Sequence, residues 1–266
     1  MSSLTHLPEV GSTNDWLLAR ADALPDGHWV ITDRQTAGRG RRGRVWNDGA
    51  GNFMGSVLVK AQGQVQQLSF VAALALHDAL TSITSPLARE VDSRVARRER
   101  GGPNPSPGPP SASLDLSRKG RGEFTLKWPN DVLLDGTKCS GILLERQGEA
   151  LVIGIGINLA HYPEGTERPA TSLAAAGLPV PTPVALLDEL AAAFRHWRET
   201  WAIHGFAPIR TAWLARASGV GSRIVARLGG ESPEGVFTGL ADDGALLMQL
   251  DDGSTRAIHA GEVFAL

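Results

Sequence analysis

One cysteine is all this chain has, Cys139, so no disulfide can close within it and a reducing compartment is the simplest setting. Long apolar runs are missing too: no segment reaches the roughly 18 apolar residues that a membrane-spanning helix needs. The first ten residues, MSSLTHLPEV, carry neither a basic lead nor an apolar stretch, so no secretory leader is expected. A surplus of either charge is also absent. With 26 Lys and Arg against 28 Asp and Glu, the formal net charge is −2, which argues against an overall pull towards nucleic acid or anionic lipid. Any anion site must therefore arise by local clustering. What these absences leave is a globular protein expected in the cytoplasm. At 266 residues, 42% hydrophobic and 20% charged, it can build one sizeable core and a small second unit.

Local clustering is conspicuous at one place. Residues 38–44, GRGRRGR, hold three glycines and four arginines, and Trp46 follows. Glycine lets other groups approach the backbone, and arginine offers a permanently charged fork suited to phosphate and carboxylate oxygens. The stretch reads as a mobile cationic cover for an anion. It matches G-x-G-x-x-G, but a dinucleotide fold requires a helix directly afterwards, and here RVWNDGAGNF and another strand follow. A phosphate-binding P-loop fails for want of Gly-Lys-Ser/Thr. A nucleic-acid arm rests on charge alone, with neither a helix-turn-helix nor stacking aromatics around it.

Along the chain, residues 5–10 read as a short strand or loop. Ser12, Thr13 and Asn14 are good helix caps, and Leu17, Leu18 and Ala21 follow at helical spacing, so a helix starts near Thr13. The triplet could be a cap alone, or its N–H groups and hydroxyls could hold a polar ligand. Strands are expected over 28–33 and 52–60, then a helix over 67–83 with His77 as a surface or packing residue. Residues 93–122, rich in Pro, Gly, Ser and basic side chains, read as a disordered insertion. FTLKW, VLLDGTKCSGILLE and LVIGIGINL then predict a run of hairpins, with Pro129-Asn130-Asp131 as one turn and Asp135-Gly136 as another. A short helix is expected near 172–176, an amphipathic one over 184–204, and another ending near Ala217. From Gly221 the strands RIVARL, EGVFTGL, ALLMQL and STRAIHA, four or five in all, suggest a small barrel, with a domain boundary near Gly219.

Two further segments stand out. In Lys127-Trp-Pro-Asn-Asp131, Pro129 ends a strand and presents Asn130 and Asp131, and Lys138 follows beside the glycine-flanked Gly141-Ile-Leu-Leu-Glu145. Gly154-Ile-Gly-Ile-Asn158 is a strand whose glycines permit close approach. Each taken singly reads as turn and surface residues.

Together, Ser12-Thr13-Asn14, Gln35-Thr-Ala-Gly38-Arg-Gly-Arg-Arg-Gly-Arg44 with Trp46, Lys127–Asp131, Lys138 with Gly141, and Gly154–Asn158 resemble the catalytic domain of biotin–protein ligases, in the family's order and over nearly the whole chain outside 93–122. The resemblance implies an α+β fold: a mixed, largely antiparallel sheet with packed helices, of the class II synthetase-like biotin–lipoate ligase type. It implies a catalytic domain over 1–218 and an SH3-like barrel over 219–266. Biotin and ATP would be substrates, with Mg²⁺, and a biotin carboxyl carrier protein the acceptor. Biotin's carboxylate attacks the α-phosphate to give biotinyl-5′-AMP, and a carrier lysine then displaces AMP.

Carried over residue by residue, Ser12, Thr13, Asn14, Gln35, Gly38, Arg39, Gly40, Arg41 and Lys138 would bind biotin. Arg41, Arg42, Arg44, Trp46, Asn130 and Asn158 would serve ATP, with Trp46 over the adenine. Lys138, Arg41 and Asp131 would be catalytic: Lys138 between carboxylate and α-phosphate, Asp131 towards the acceptor lysine. Arg39, Arg41, Lys138 and Mg²⁺ would offset a repulsion between the two anions of about 4 kcal/mol at roughly 4 Å.

Three departures temper the carry-over. The motifs start at Ser12, leaving no room before them for the DNA-binding domain of the family's regulatory members, so no repressor activity and no DNA partner are expected. The 93–122 stretch is unusually long. The chain ends Glu262-Val-Phe-Ala-Leu266 where some members place an arginine near the nucleotide. A monomer or a ligand-induced homodimer is compatible with the sequence. The rivals are a lipoate–protein ligase or octanoyltransferase of the same fold, and a basic-loop nucleic-acid-binding protein.

Overall fold

The computed structural model describes residues 3–46, 50–61, 63–85, 122–165 and 169–266; the expected insertion at 93–122 lies outside them apart from Gly122. Seven strands form one mixed sheet: β1 (Leu4–Leu7), β2 (Trp29–Thr32), β3 (Phe53–Lys60), β4 (Phe124–Lys127), β5 (Asp131–Leu134), β6 (Thr137–Gln147) and β7 (Ala150–Ile157). Their order is β1-β2-β3-β7-β6-β5-β4. Only β1 and β2 run parallel; the other pairs are antiparallel, as the short turns of the sequence require.

Alternation sends each central strand's side chains to two different faces. On one face Val57, Val59, Ile153, Ile155 and Ile157 join the main core. Over it lie α2 (Leu68–Thr84) and α3 (Pro183–His204). Lying between sheet and α3, α2 is apolar nearly all round, whereas α3 buries only the stripe Leu186, Leu187, Leu190, Ala191 and Phe194. Thr182 caps α3, accepting from Ala185 N at 3.2 Å, with Pro183 at its first position; Gly205, at φ +71°, ends it and α4 (Phe206–Leu214) follows. On the other face the short helix α1 (Thr13–Leu18) packs Leu17 against Val30, Leu58 and Val152.

The last 44 residues carry β8 (Arg223–Arg227), β9 (Glu234–Leu240), β10 (Leu246–Gln249), β11 (Thr255–Ile258) and β12 (Glu262–Ala265), all antiparallel, in the order β11-β10-β9-β8-β12. The strand β12 is the fifth, beyond the four named from sequence. This sheet is not set apart from the rest. Ile224, Phe237, Leu246 and Met248 belong to the main core, and the buried indole of Trp128 donates to Gly244 O at 3.1 Å.

Two local expectations need correction. Residues 172–176 form turns, not a helix: Ser172 Oγ accepts from Ala175 N at 3.1 Å, and the chain turns away at Gly177, whose φ is +71°. Asp131 is not in the turn after Pro129; it pairs with Lys127 and opens β5, which buries it.

Candidate active site

On the α1 face, the sheet's middle is stripped of side chains. Ser56 of β3 stands opposite Gly154 of β7, and Gly154 opposite Leu143 of β6; in the next row Gly156 stands opposite Gly141. A cavity of about 350 Å³ opens there, roofed by α1 and the glycine–arginine loop and walled by β5 and β6. A strand irregularity shapes it further. Across from β5 the register steps between Val132 and Leu133, so Cys139 is an extra residue in β6. The step turns Lys138 and Gly141, three apart, to the same face, and a methyl at Gly141 would lie 3.4 Å from Lys138 Nζ.

The loop itself is folded. Gly40 N donates to Arg44 O at 2.7 Å and Trp46 N to Gly38 O at 3.0 Å, with Arg41–Gly43 as one 3₁₀ turn, which includes Arg42. Residues 34–37 run beside 10 and 11, which brings Gln35 to Thr13: its Oε1 accepts from Thr13 N at 2.8 Å and Thr13 Oγ1 at 3.0 Å. Ser12 caps α1 through Asp15 N. Asn14 lies over Gly154, its Oδ1 accepting from Ser56 Oγ at 2.6 Å and its Nδ2 donating to Glu145 Oε2 at 2.7 Å.

At the other end Lys138 Nζ lies 2.6 Å from Asp131 Oδ1, a carboxylate only 6% exposed. Arg41 donates to Asn130 Oδ1 at 3.3 Å, and Asn130 Nδ2 to Ile142 O. Asn158 is buried on the wall and donates to Thr171 O at 3.0 Å, holding the 171–173 turn. The Trp46 indole lies against Gly156 and Gly141, and its Nε1 is buried without a hydrogen-bond partner among the described residues. Thus Ser12, Thr13, Asn14, Gln35, Arg39, Gly40, Arg41, Arg44, Trp46, Asn130, Asp131, Lys138 and Asn158 share one cavity wall. Gly38 stands behind it, against the Gln35 side chain.

The cations differ from their expected use. Arg39 was expected to offset ligand charge, yet its guanidinium is gripped by Asp15 (Nη1 to Oδ2, 2.7 Å) and by Glu145 (Nε to Oε1, 3.0 Å). These hydrogen bonds raise its pKa above the ordinary arginine value, and the Arg39 bond holds Asp15 below the usual carboxylate range. Arg39's charge is therefore matched within the protein. Arg44 pairs with Glu262 Oε1 at 2.7 Å, tying the loop to β12. Cys139 faces the core, and burial pushes its thiol up to about 12.

Sequence reasoning missed Ser56, Asp15, Glu262 and the part played by Glu145. Ser56 had a signal: β3 is buried at its first seven positions, and a serine inside such a strand needs a polar partner. Glu145 closes the quoted Gly141–Glu145 run. Glu262 had none, because it reaches the cavity from the other sheet.

Comparison with known proteins agrees in both parts of the chain. Residues 7–159 match the Biotin/lipoate A/B protein ligase family, and residues 219–266 match the Biotin protein ligase C terminal domain. A Biotin--[acetyl-CoA-carboxylase] ligase of Paracoccus denitrificans is 40% identical over 97% of this chain and 98% of its own length. The Bifunctional ligase/repressor BirA of Bacillus subtilis is 28% identical over 89% of this chain and 66% of its own. In fold, the biotin protein ligase of Aquifex aeolicus, solved in complex with biotin and ATP, superposes with a TM-score of 0.77 at 24% identity over the full length of both chains.

Proposed function

Since the chain belongs to the biotin/lipoate A/B protein ligase family, we infer that it is a biotin–protein ligase, using ATP to join biotin to a lysine of a biotin carboxyl carrier protein through biotinyl-5′-AMP. The observation that carries this reading is the gathering of the glycine–arginine loop with the Asn130–Lys138 hairpin, 89 residues further on, around one cavity.

The residue roles are our proposal. In the first step a biotin carboxylate oxygen attacks the α-phosphorus, and the bond to pyrophosphate breaks. Two anions must meet, and Lys138 is a cation on the cavity lining. Its ion pair with Asp131 holds the ammonium at the cavity lining. Arg41, seated on Asn130, adds charge on the nucleotide side. The unpartnered Trp46 N–H is a donor that a nucleotide acceptor would satisfy, while the ring covers the base. Arg44 would have to leave Glu262 to reach phosphate. In the second step the carrier lysine, as free amine, adds to the acyl carbon, the bond to AMP breaks, and the nitrogen loses a proton, for which we assign Asp131 as the acceptor.

Magnesium enters as part of the nucleotide substrate. Among the described residues no group of three or more His, Cys, Asp and Glu could hold an ion alone, and Mg²⁺ characteristically leans on substrate phosphates plus one or two carboxylates. Asp131 and Glu262 are carboxylates on the wall that could assist, and the ion would screen phosphate charge there.

We further propose that the chain acts in the cytoplasm, where ATP and unmodified carrier meet, that residues 219–266 form a second unit packed on the first through the shared core and completing the site through Glu262, and that DNA is no partner. No helix among the described residues is long and apolar enough to cross a membrane. Gel-shift and sedimentation measurements with and without biotinyl-5′-AMP test DNA binding and dimerisation.

The reading is tested by ATP–pyrophosphate exchange with biotin, with lipoate and with neither. Exchange that depends on biotin is expected; exchange with lipoate alone would move the protein to the lipoate branch of the family.

A further inference from the structure

We propose that Glu145 is a positioning residue for biotin: by fixing which way the Asn14 amide points, it makes the inner end of the cavity seek a ligand that brings N–H donors. The inference rests on the biotin reading above.

The argument is a count of protons. Gln35 Oε1, Thr13 Oγ1, Ser56 Oγ and Asn14 Oδ1 form a relay with contacts of 3.0, 2.7 and 2.6 Å. Its middle members are hydroxyls with one proton each, and its ends are carbonyl oxygens with none. Three short contacts therefore share two protons. All four residues line the cavity or stand directly behind its wall, and Thr13, Asn14 and Ser56 are at most 4% exposed. Water in the open cavity can lend the missing donor, so a ligand that displaces it must bring a donor of its own.

The deficit would vanish if the Asn14 amide turned over. Its own N–H would then donate to Ser56, Ser56 to Thr13 and Thr13 to Gln35, with every contact filled. An amide turns over at almost no cost in shape, so its partners decide its direction. Here the decisive partner is Glu145, whose Oε2 lies 2.7 Å from Asn14 Nδ2. An ionised carboxylate accepts and cannot donate, so the nitrogen must face it and the oxygen must face Ser56. Arg39 holds Glu145 in place through Nε and Nη2, each at 3.0 Å. Gly154 leaves the amide room, since a methyl there would stand 2.5 Å from Asn14 Oδ1. Biotin's ureido group carries two N–H donors, which fits a relay one proton short.

The test is Glu145→Gln, whose amide can present an N–H to a turned Asn14, measured in ATP–pyrophosphate exchange. The KM for biotin is expected to rise roughly tenfold or more, with kcat and the KM for ATP changed less than about threefold. Glu145→Asp, which keeps an acceptor-only group, should recover part of the loss. A folded Glu145→Gln protein with an unchanged KM for biotin would overturn the proposal, as would equal rises for biotin and ATP. If that variant does not fold, Ser56→Ala, which breaks the relay in its middle, must show the same biotin-only rise; an unchanged KM there overturns the proposal equally. Wild-type protein without biotin-dependent exchange would sink the family reading and this inference together, whereas normal wild-type exchange with an unaffected Glu145→Gln sinks the inference alone.

Discussion

Two glycines, two residues apart on one strand face, should separate the substrates. Gly154 and Gly156 of β7 both face the cavity, and neither has a positive φ, so alanine suits the backbone at each. Their surroundings differ. A methyl at Gly154 would stand 2.5 Å from Asn14 Oδ1 and 3.0 Å from its Nδ2. Asn14 is buried and tied to Ser56 and Glu145, so it must move by about 1 Å to reach van der Waals distance, stretching both bonds. Losing one neutral and one charge-assisted hydrogen bond costs about 2–4 kcal/mol. If half of that, about 1–2 kcal/mol, appears in ligand binding, the KM for biotin rises roughly 5- to 30-fold. At Gly156 the methyl would meet the Trp46 ring, 2.4 Å from Cε2. That ring rides on the loop and makes no hydrogen bond through Nε1, so it yields outward, and the loss falls on ATP. Steady-state exchange kinetics with each substrate varied in turn gives both KM values for both variants. The reasoning fails if Gly154→Ala leaves the KM for biotin within about threefold of wild type, or if the two variants show the same pattern.

Three other outcomes follow from the same geometry. Lys138→Met should lower kcat for adenylate formation by at least about 100-fold, because a charge at the carboxylate–phosphate junction is lost; a wild-type exchange rate would make Lys138 a bystander. Cys139, with its thiol raised to about 12 by burial, should resist alkylation in the native protein at pH 8 and react once denaturant is added, which mass spectrometry reads directly. Asp78 is pushed up by burial but held below its ordinary value overall by hydrogen bonds from His77 and Trp197 and by Arg216. A carboxyl lowered in the folded state contributes stability that is present above its unfolded value, 3.8, and is lost as pH falls below it. Asp78→Asn should therefore be less stable than wild type at pH 7, and urea titrations should show the gap narrowing towards pH 3; a gap independent of pH would contradict this.

Much of the fold was legible because local chemistry and long-range structure agree. β3 and β7 announce themselves by apolar content, α3 by its stripe and its Thr182-Pro183 start, and the hairpins by Asp135-Gly136 and similar turns. The residues of the site were legible as motifs, yet their partners were not. Arg39 looks like any loop arginine in sequence; what neutralises it stands 24 and 106 residues away. The shift of register at Cys139 carries no sequence mark, and without it Lys138 would be expected to point away from Gly141. Glu262 enters from a sheet whose strands predict only their own pairing. The failed 172–176 helix has a similar cause: Leu173 is drawn fully into the core, and that tertiary contact outweighs local preference.

The central claim, that this cavity activates biotin and passes it to a lysine, is tested most directly by incubating the protein with biotin, MgATP and an unmodified biotin carboxyl carrier domain and recording intact and peptide masses. The account predicts the mass gain of one biotinyl group on a single carrier lysine, requiring both biotin and ATP. An unchanged carrier mass, with the carrier shown competent towards another biotin ligase, would contradict it.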